Sequence, residues 1–248
     1  MAEISRIVEL TGDETVPAWQ SIIDLDRAGL SESLTLVGGL MVYAHARAAT
    51  LSSTRPTADA DVLVDVVAAR TSLAEVQAVL RDLGFALNTD YDTAYRFRHS
   101  DDRVIDVMVA DHLPSHIRAR LSGRPAFQAP AGQQAINRRE VWRLEFSPDL
   151  VCSVGIPNTL GALVAKGAAW MVDTRNPERH LQDSATLLAA VGDASALDYR
   201  LSHNDRRRLR AIHAHLRDER HPAWGLLEEQ ERREGQQNLE LIAGGAGL

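Results

Sequence analysis

Two consecutive glycines, Gly38 and Gly39, separate a strand pattern from a helix pattern within one short segment. The letters before them, LTLV, form an apolar run typical of a buried strand, and the letters after them, LMVYAHARAA, have helical spacing. A strand that turns through glycines into a helix points backbone N–H groups at a site where anions bind. The segment therefore indicates a fold of strands and helices, with either an anion site or a simple tight turn at the glycines.

The patterns along the rest of the chain predict an α+β protein. A strand pattern in RPTADADVLVDV precedes a helix pattern in SLAEVQAVLRDLGF, and YRFRHSDDRVIDVMVAD alternates across a turn as a hairpin does. Beyond these, a helix capped at Asn158 begins a series of helix patterns, and the tail IAGGAGL is expected to fray. We expect a mixed sheet with flanking helices in residues 1–153 and a helical region in residues 154–248.

Composition excludes several classes of protein. The chain has 248 residues, of which 45% are hydrophobic, and its net charge is -7, which argues against a constitutive nucleic-acid coat protein. A single cysteine, Cys152, excludes an intramolecular disulfide and a cysteine zinc cluster. The first residues lack the pattern of a secretory signal and no apolar run reaches membrane-spanning length, so we expect a cytoplasmic protein with no membrane partner.

Three aspartates are the candidate metal ligands. Asp59 and Asp61 are two residues apart on a strand, so their carboxylates project from the same face, where a divalent cation such as Mg²⁺ relieves their repulsion. Asp106 interrupts the apolar run VIDVMVA, and an acid in a strand buried on both faces is costly unless it binds something. The alternatives are a solvated strand edge for the first two acids and a strand-end acid for Asp106.

Lys166 is the only lysine of the protein, so the other 26 of the 27 lysine and arginine residues are arginines. It lies in the apolar helix pattern GALVAKGAAWMV. A lysine in such a helix can lay its stem on the core and its ammonium in water. Alternatively, its compact charge suits the phosphates of a triphosphate better than a planar guanidinium does.

Taken together, the form VGG…RPTADADV, the later aspartate and the later lysine resemble nucleotidyltransferases of the polymerase-β type, and in particular the AbiEii/MenT-like branch. Many members of that branch are toxins of toxin–antitoxin or phage-defence pairs. The resemblance covers most of residues 34–190. Many members of the superfamily have a serine as the second residue of the turn, whereas this chain has Gly39, which offers only its backbone.

The resemblance implies a nucleotidyltransferase-fold catalytic domain in residues 1–153, and a nucleotide site completed by residues 154–248. It implies a metal-dependent enzyme that moves an NMP from an NTP to an acceptor, with Mg²⁺ or Mn²⁺ as cofactor and two metal ions in the reaction. The implied metal ligands and catalytic acids are Asp59, Asp61 and Asp106, with Asp106 nearest the incoming hydroxyl. The implied nucleotide-binding residues are Gly38, Gly39, Arg55, Thr57, Lys166 and Asp183, where Lys166 meets the phosphates and Asp183 fixes the lysine or the nucleotide.

The acceptor is less constrained than the chemistry. The resemblance points to RNA, in particular tRNA 3′ ends, and to a cognate antitoxin as a further partner. Arginines in residues 118–143 and 206–210 are candidate phosphate contacts, although such arginines are also typical of a solvated helix face. The alternatives are a small-molecule (antibiotic) or protein nucleotidyltransferase, and a catalytically inactive nucleotide-binding or interaction protein. For Asp183, the alternative is an exposed acid paired with Arg179.

Overall fold

The computed structural model describes residues 3–68 and 71–248 and divides into two compact units. The first unit comprises Met1–Met41 and Thr57–Pro157, and the second comprises Val42–Pro56 and Asn158–Leu248. The boundary expected after residue 153 falls inside a strand that continues to Pro157, because the last four residues of that strand still pair within the sheet. The assignment of functions to residues 1–153 and 154–248 stays a prediction.

Besides four short 3-10 helices, the described residues form eleven strands and eight α-helices. In chain order they are β1 (Ile4–Glu9), α1 (Pro17–Arg27), β2 (Leu34–Val37), α2 (Gly38–Ala48), β3 (Asp59–Val64), α3 (Leu73–Asp82), β4 (Ala86–Leu87), β5 (Arg96–Arg98), β6 (Val104–Ala110), β7 (Arg120–Leu121), β8 (Arg124–Pro125), β9 (Gln128–Ala129), α4 (Gly132–Asn137), β10 (Arg139–Ser147), β11 (Leu150–Pro157), α5 (Thr159–Val172), α6 (Glu178–Ala189), α7 (His203–Leu216) and α8 (Glu229–Ala246). A sheet with flanking helices followed by helices alone confirms the predicted α+β class.

A nine-stranded mixed sheet is the centre of the first unit. Its strand order is β1-β10-β11-β2-β3-β6-β5-β4, and β9 pairs with the end of β6. The pairs β1 with β10, β11 with β2, β3 with β6, and β6 with β9 are parallel. The hairpin expected across the Ser-Asp-Asp turn is confirmed as the antiparallel pair β5 and β6. The sheet therefore places β3 directly between β2 and β6.

Side chains alternate between the two faces of β3, and the alternation separates the core from the acids. Ala60, Val62 and Val64 point to one face and are buried, while α1 packs on β3, β6 and β11. Asp59, Asp61 and Leu63 point to the other face, where Leu63 is buried in a cluster with residues of α4. Asp59 and Asp61 therefore lie at the start of β3, on a face that residues of α4 cover further along the strand.

The second unit contains α5 to α8 and the segment 42–56. Helices α5 and α7 approach closely, since a β-carbon at Gly167 would lie 2.5 Å from the backbone oxygen of Arg208. The segment 42–56 is held to α8 by Ser52, whose backbone N–H and hydroxyl donate to Glu231 Oε1 at 2.7 and 2.9 Å. Residues 242–246 of the tail form the end of α8, and Gly247 is its C-cap; the fraying of this tail stays a prediction.

The expected start of the lysine helix is confirmed. The side chain of Asn158 accepts a hydrogen bond from Gly161 N–H at 3.0 Å, which caps α5. Among residues 3–68 and 71–248, no helix is long and apolar enough to cross a membrane.

Candidate functional site

The three aspartates selected from the sequence lie together on two neighbouring strands. Asp61 of β3 is the direct pairing partner of Asp106 of β6, and Asp59 precedes Asp61 on the same face. One carboxylate oxygen of each lies within 4.8 Å of the others. Asp106 is buried, whereas Asp59 and Asp61 are partly exposed. Three carboxylates that converge from a partly open face form a donor set that suits a hard divalent cation such as Mg²⁺.

An arginine that sequence patterns do not single out joins this cluster. Arg96 of β5 is the pairing partner of Asp106, so both side chains are on the same face. Its Nε and Nη2 donate to the two oxygens of Asp106 at 2.8 and 2.7 Å, and Nη2 also donates to Asp59 Oδ2 at 3.2 Å. The sequence places Arg96 ten residues before Asp106, and only the antiparallel register of β5 and β6 brings the two together.

The electrostatics of the cluster follow from burial and from this ion pair. Burial raises the pKa of Asp106 above its ordinary value, and the hydrogen bonds and charge of Arg96 only partly oppose this effect. The hydrogen bond with Asp106 raises the pKa of Arg96, which is therefore a permanent cation in the site. Asp106 and Asp59 therefore have a charge partner within the protein, the guanidinium of Arg96.

The glycine turn lies directly against these acids. Gly38 follows β2 directly and begins α2 with a φ of 68°, in the left-handed region that favours glycine. A β-carbon at Gly38 would collide with the carboxylate of Asp61, and one at Gly39 would lie 2.5 Å from Thr57 Oγ1. The two glycines therefore allow the helix N-terminus to approach the second acid and Thr57 closely.

Thr57 lies next to the first acid. Its hydroxyl is 3.4 Å from both the backbone oxygen and the carboxylate Oδ1 of Asp59, which is a long hydrogen bond. The first unit therefore brings together six of the residues selected from the sequence: Gly38, Gly39, Thr57, Asp59, Asp61 and Asp106.

The other three selected residues form an ion-pair cluster in the second unit. Lys166 Nζ donates to Asp183 Oδ2 at 2.7 Å, and Arg55 donates to the two oxygens of Asp183 at 3.1 and 3.2 Å. The side chains of Lys166 and Asp183 are 6% and 2% exposed, and that of Arg55 is 27% exposed. Burial acts to raise the pKa of Asp183, but the charges of Lys166 and Arg55 outweigh it, and the pKa lies below its usual value.

Two of the alternatives for these residues are wrong. Lys166 does not extend its ammonium into water, because the carboxylate of Asp183 holds it in the interior. Asp183 is not an exposed partner of Arg179, which pairs instead with Asp173 at 2.9 Å. The contact of Lys166 or Asp183 with a nucleotide stays a prediction.

Most of the candidate RNA-binding arginines already contact other groups. In residues 118–143, Arg143 pairs with Glu145 at 2.8 Å and Arg124 donates to the backbone oxygen of Tyr91 at 2.7 Å. Arg118 and Arg120 are the exposed arginines of this stretch, and Nη1 of Arg120 also donates to the backbone oxygen of Gly123. On α7, Arg207 and Arg210 are likewise exposed. The arginines available to an external phosphate are therefore fewer than the sequence suggests.

Comparison with known proteins identifies no family. No protein-family model matches the chain, and no curated protein matches it. Among solved structures, the chain is similar to the CD-NTase CdnG of Bradyrhizobium diazoefficiens in complex with GTP. The TM-score is 0.29 and the identity 11%, over 97% of this chain and 87% of that chain. A likeness at this TM-score carries no conclusion about the fold or the activity of this protein.

Proposed function

We propose that the protein is a metal-dependent nucleotidyltransferase that moves an NMP from an NTP to a hydroxyl of an RNA acceptor, in the manner of a toxin-type enzyme. The observation that carries the proposal is the contact between the glycine turn and the acids. The N-terminus of α2, which suits phosphate, lies against Asp61, and Asp61 belongs to a cluster of three carboxylates that suits a divalent cation.

The turn residues bind the phosphates in this proposal. The backbone N–H groups of the first turn of a helix point outward along its axis, and the helix dipole adds partial positive charge there. Gly38 and Gly39 carry no side chain that would keep a phosphate away from this backbone. Thr57, whose side chain packs against Gly39, donates its hydroxyl to a terminal phosphate oxygen.

The carboxylates orient the reacting groups. Asp59 and Asp61 would hold Mg²⁺ together with phosphate oxygens, and the cation supplies charge neutralisation when bound. The acceptor hydroxyl oxygen attacks the α-phosphorus, the bond from that phosphorus to the bridging oxygen breaks, and pyrophosphate leaves. Asp106 accepts the hydroxyl proton, a role for which its raised pKa makes it a better base than an ordinary carboxylate.

An RNA acceptor is the part of the proposal that rests on resemblance and charge. Exposed arginines occur in both units, Arg118 and Arg120 in the first and Arg207 and Arg210 in the second. Guanidinium groups on the surface contact phosphates and position a nucleic acid without reading its sequence. A small cationic antibiotic would instead need an acidic acceptor surface.

The experiment is transfer of label from each of the four α-³²P NTPs to total RNA in the presence of Mg²⁺. We expect labelled RNA with the wild-type protein and none with Asp61→Asn, which keeps the shape of the side chain but loses a cation ligand. Asp82→Asn is the matched control, because Asp82 is an exposed acid of α3 that pairs with Arg81. It should label RNA as the wild type does.

Two results would contradict the proposal. Equal labelling by Asp61→Asn and the wild type would exclude a role for the acids in transfer. Absence of labelling with every NTP, together with nucleotide binding that persists in Asp61→Asn, would favour the inactive binding protein. That alternative draws some support from Arg96, since an ion pair satisfies two of the acids without any cation.

A further inference from the structure

Arg96 changes the charge that the acidic cluster presents to a cation. Three carboxylates carry a formal charge of -3, and the guanidinium hydrogen-bonded among them reduces it to -2. A single divalent cation balances that remainder. Two divalent cations would leave the cluster with a net charge of +2, and this excess would make the second cation bind weakly.

The geometry places this positive charge on one side of the cluster. Both oxygens of Asp106 accept from Arg96, and the pair is bidentate, which is the strongest arrangement of these two groups. The same Nη2 also donates to Asp59, so Arg96 bridges Asp106 and Asp59. A guanidinium in this position neutralises carboxylate charge, which is one of the effects that a second divalent cation has in a two-metal site.

The ion pair is also held in place by its surroundings. The backbone pairing of β5 with β6 sets Arg96 opposite Asp106, and the side chain of Asp106 is only 8% exposed. Removing the guanidinium would leave a buried carboxylate without its partner, which is strongly unfavourable. Arg96 is therefore a fixed part of the cluster.

We infer that Arg96 takes the place of the second divalent cation, so that the site binds one metal ion, on Asp59 and Asp61, and the guanidinium supplies the other positive charge. The inference rests on the proposed metal site and departs from the two-metal mechanism that the resemblance implies. Arg96 then serves as a positioning residue that holds Asp106 in place.

The test counts bound Mn²⁺ without nucleotide. Purified full-length protein is titrated with Mn²⁺, and the electron paramagnetic resonance signal of the free ion gives the number bound per chain. We expect one Mn²⁺ per chain in the wild type and two in Arg96→Gln, with the first bound about tenfold more tightly because a positive charge has left the cluster. Arg96→Lys keeps the charge and should bind one.

The control is Arg81→Gln, which removes an exposed guanidinium of α3 that pairs with Asp82, and it should bind one Mn²⁺. Two bound Mn²⁺ in the wild type would overturn the inference and leave the proposed transferase intact. Unchanged stoichiometry and affinity in a folded Arg96→Gln would overturn it as well. If Arg96→Gln does not fold, the wild-type count decides, and a count of zero removes both the inference and the metal site.

Discussion

At the scale of single residues, Gly38 meets two separate requirements. Its φ of 68° lies in the left-handed region, and the carboxylate of Asp61 occupies the space of a side chain. Gly29 has a similar φ of 76° but no atom within 4 Å of a β-carbon built on it. A comparison of the variants Gly29→Ala and Gly38→Ala therefore separates the effect of backbone strain from that of the contact with Asp61.

We expect Gly29→Ala to lower the free energy of unfolding by about 1 to 2 kcal/mol and to leave activity unchanged, since only backbone strain is added. Gly38→Ala should lower it further and also abolish Mn²⁺ binding, because Asp61 must move. Urea denaturation and the Mn²⁺ titration measure the two effects. Mn²⁺ binding that survives in Gly38→Ala would mean that the turn does not position Asp61.

Lys166 and Asp183 form a buried pair whose loss should be measurable. Lys166→Met leaves Asp183 with Arg55 alone, and we expect a loss of about 2 kcal/mol in the free energy of unfolding. Adding Asp183→Asn should restore most of it, because no buried carboxylate remains. Chemical denaturation of the single and double variants gives the coupling, and additive effects would contradict a direct interaction.

Lys166→Arg tests the predicted contact with the triphosphate. The guanidinium keeps the charge beside Asp183, so we expect the melting temperature to change by no more than about 5 °C. Misplacement of phosphates by about 1 Å should reduce transfer on the order of a hundredfold. The measurement is turnover at saturating NTP for the wild type and the variant. Wild-type turnover would show that lysine is not specifically required.

The site residues differ in how far sequence could reveal them. Asp106 is conspicuous because it interrupts an apolar strand, and Gly38 with Gly39 because they separate two periodicities. Arg96 has no such pattern, since it is one of 26 arginines and its role depends on strand register. The pairing of Lys166 with Asp183 depends likewise on how α5 and α6 pack.

At the scale of elements, α6 carries a histidine as well as Asp183. His180 is buried, its Nε2 lies 3.0 Å from Asp173 Oδ2, and its Nδ1 has no hydrogen-bond partner among the described residues. Burial, and then the charge of Lys166, lower the pKa of His180 to about 4, against the opposing hydrogen bond with Asp173. The charged groups around it are Lys166, Arg179, Asp173 and Asp183.

This lowered pKa predicts acid sensitivity. The unfolded chain binds a proton at a pKa near 6.5, whereas folded His180 resists it down to about 4, so stability falls as the pH decreases through this range. Between pH 6.5 and 4, we expect the free energy of unfolding of His180→Gln to fall by about 2 kcal/mol less than that of the wild type. The exposed His203→Gln is the control in urea denaturation. Parallel pH profiles for His180→Gln and the wild type would refute the prediction.

Elements were predictable where their pattern is local. Helices such as α3 begin at a capping residue, and their apolar residues recur with the helical period. The hairpin of β5 and β6 has a short turn. Strand β1 and the hairpin of β10 and β11 were not predicted. Only one of six residues in β1 is buried, and β10 lies in a segment selected for its arginines, so neither shows an apolar alternation that stands out.

At the scale of the whole molecule, the net charge of -7 opposes the binding of RNA. Binding must then depend on a few exposed arginines and fall steeply with salt. We expect Arg118→Gln/Arg120→Gln to reduce the slope of log K against log salt by about 1.4, the value for two lost contacts to single-stranded RNA. Arg207→Gln/Arg210→Gln is the comparison. Fluorescence anisotropy of labelled RNA across NaCl concentrations measures both, and a slope unchanged by the first pair would exclude Arg118 and Arg120 as phosphate contacts.

The parallel pairing of β1 with β10 has a consequence for synthesis. Residues Ile4 to Glu9 pair with Val141 to Glu145, so β1 has no partner until roughly 130 further residues have been translated. At about 5 to 20 residues per second, that delay is roughly 7 to 28 seconds. Ile4 and Ile7 stay exposed even in the folded chain. During those seconds the nascent protein presents an apolar, unpaired strand, which is the kind of segment that chaperones bind.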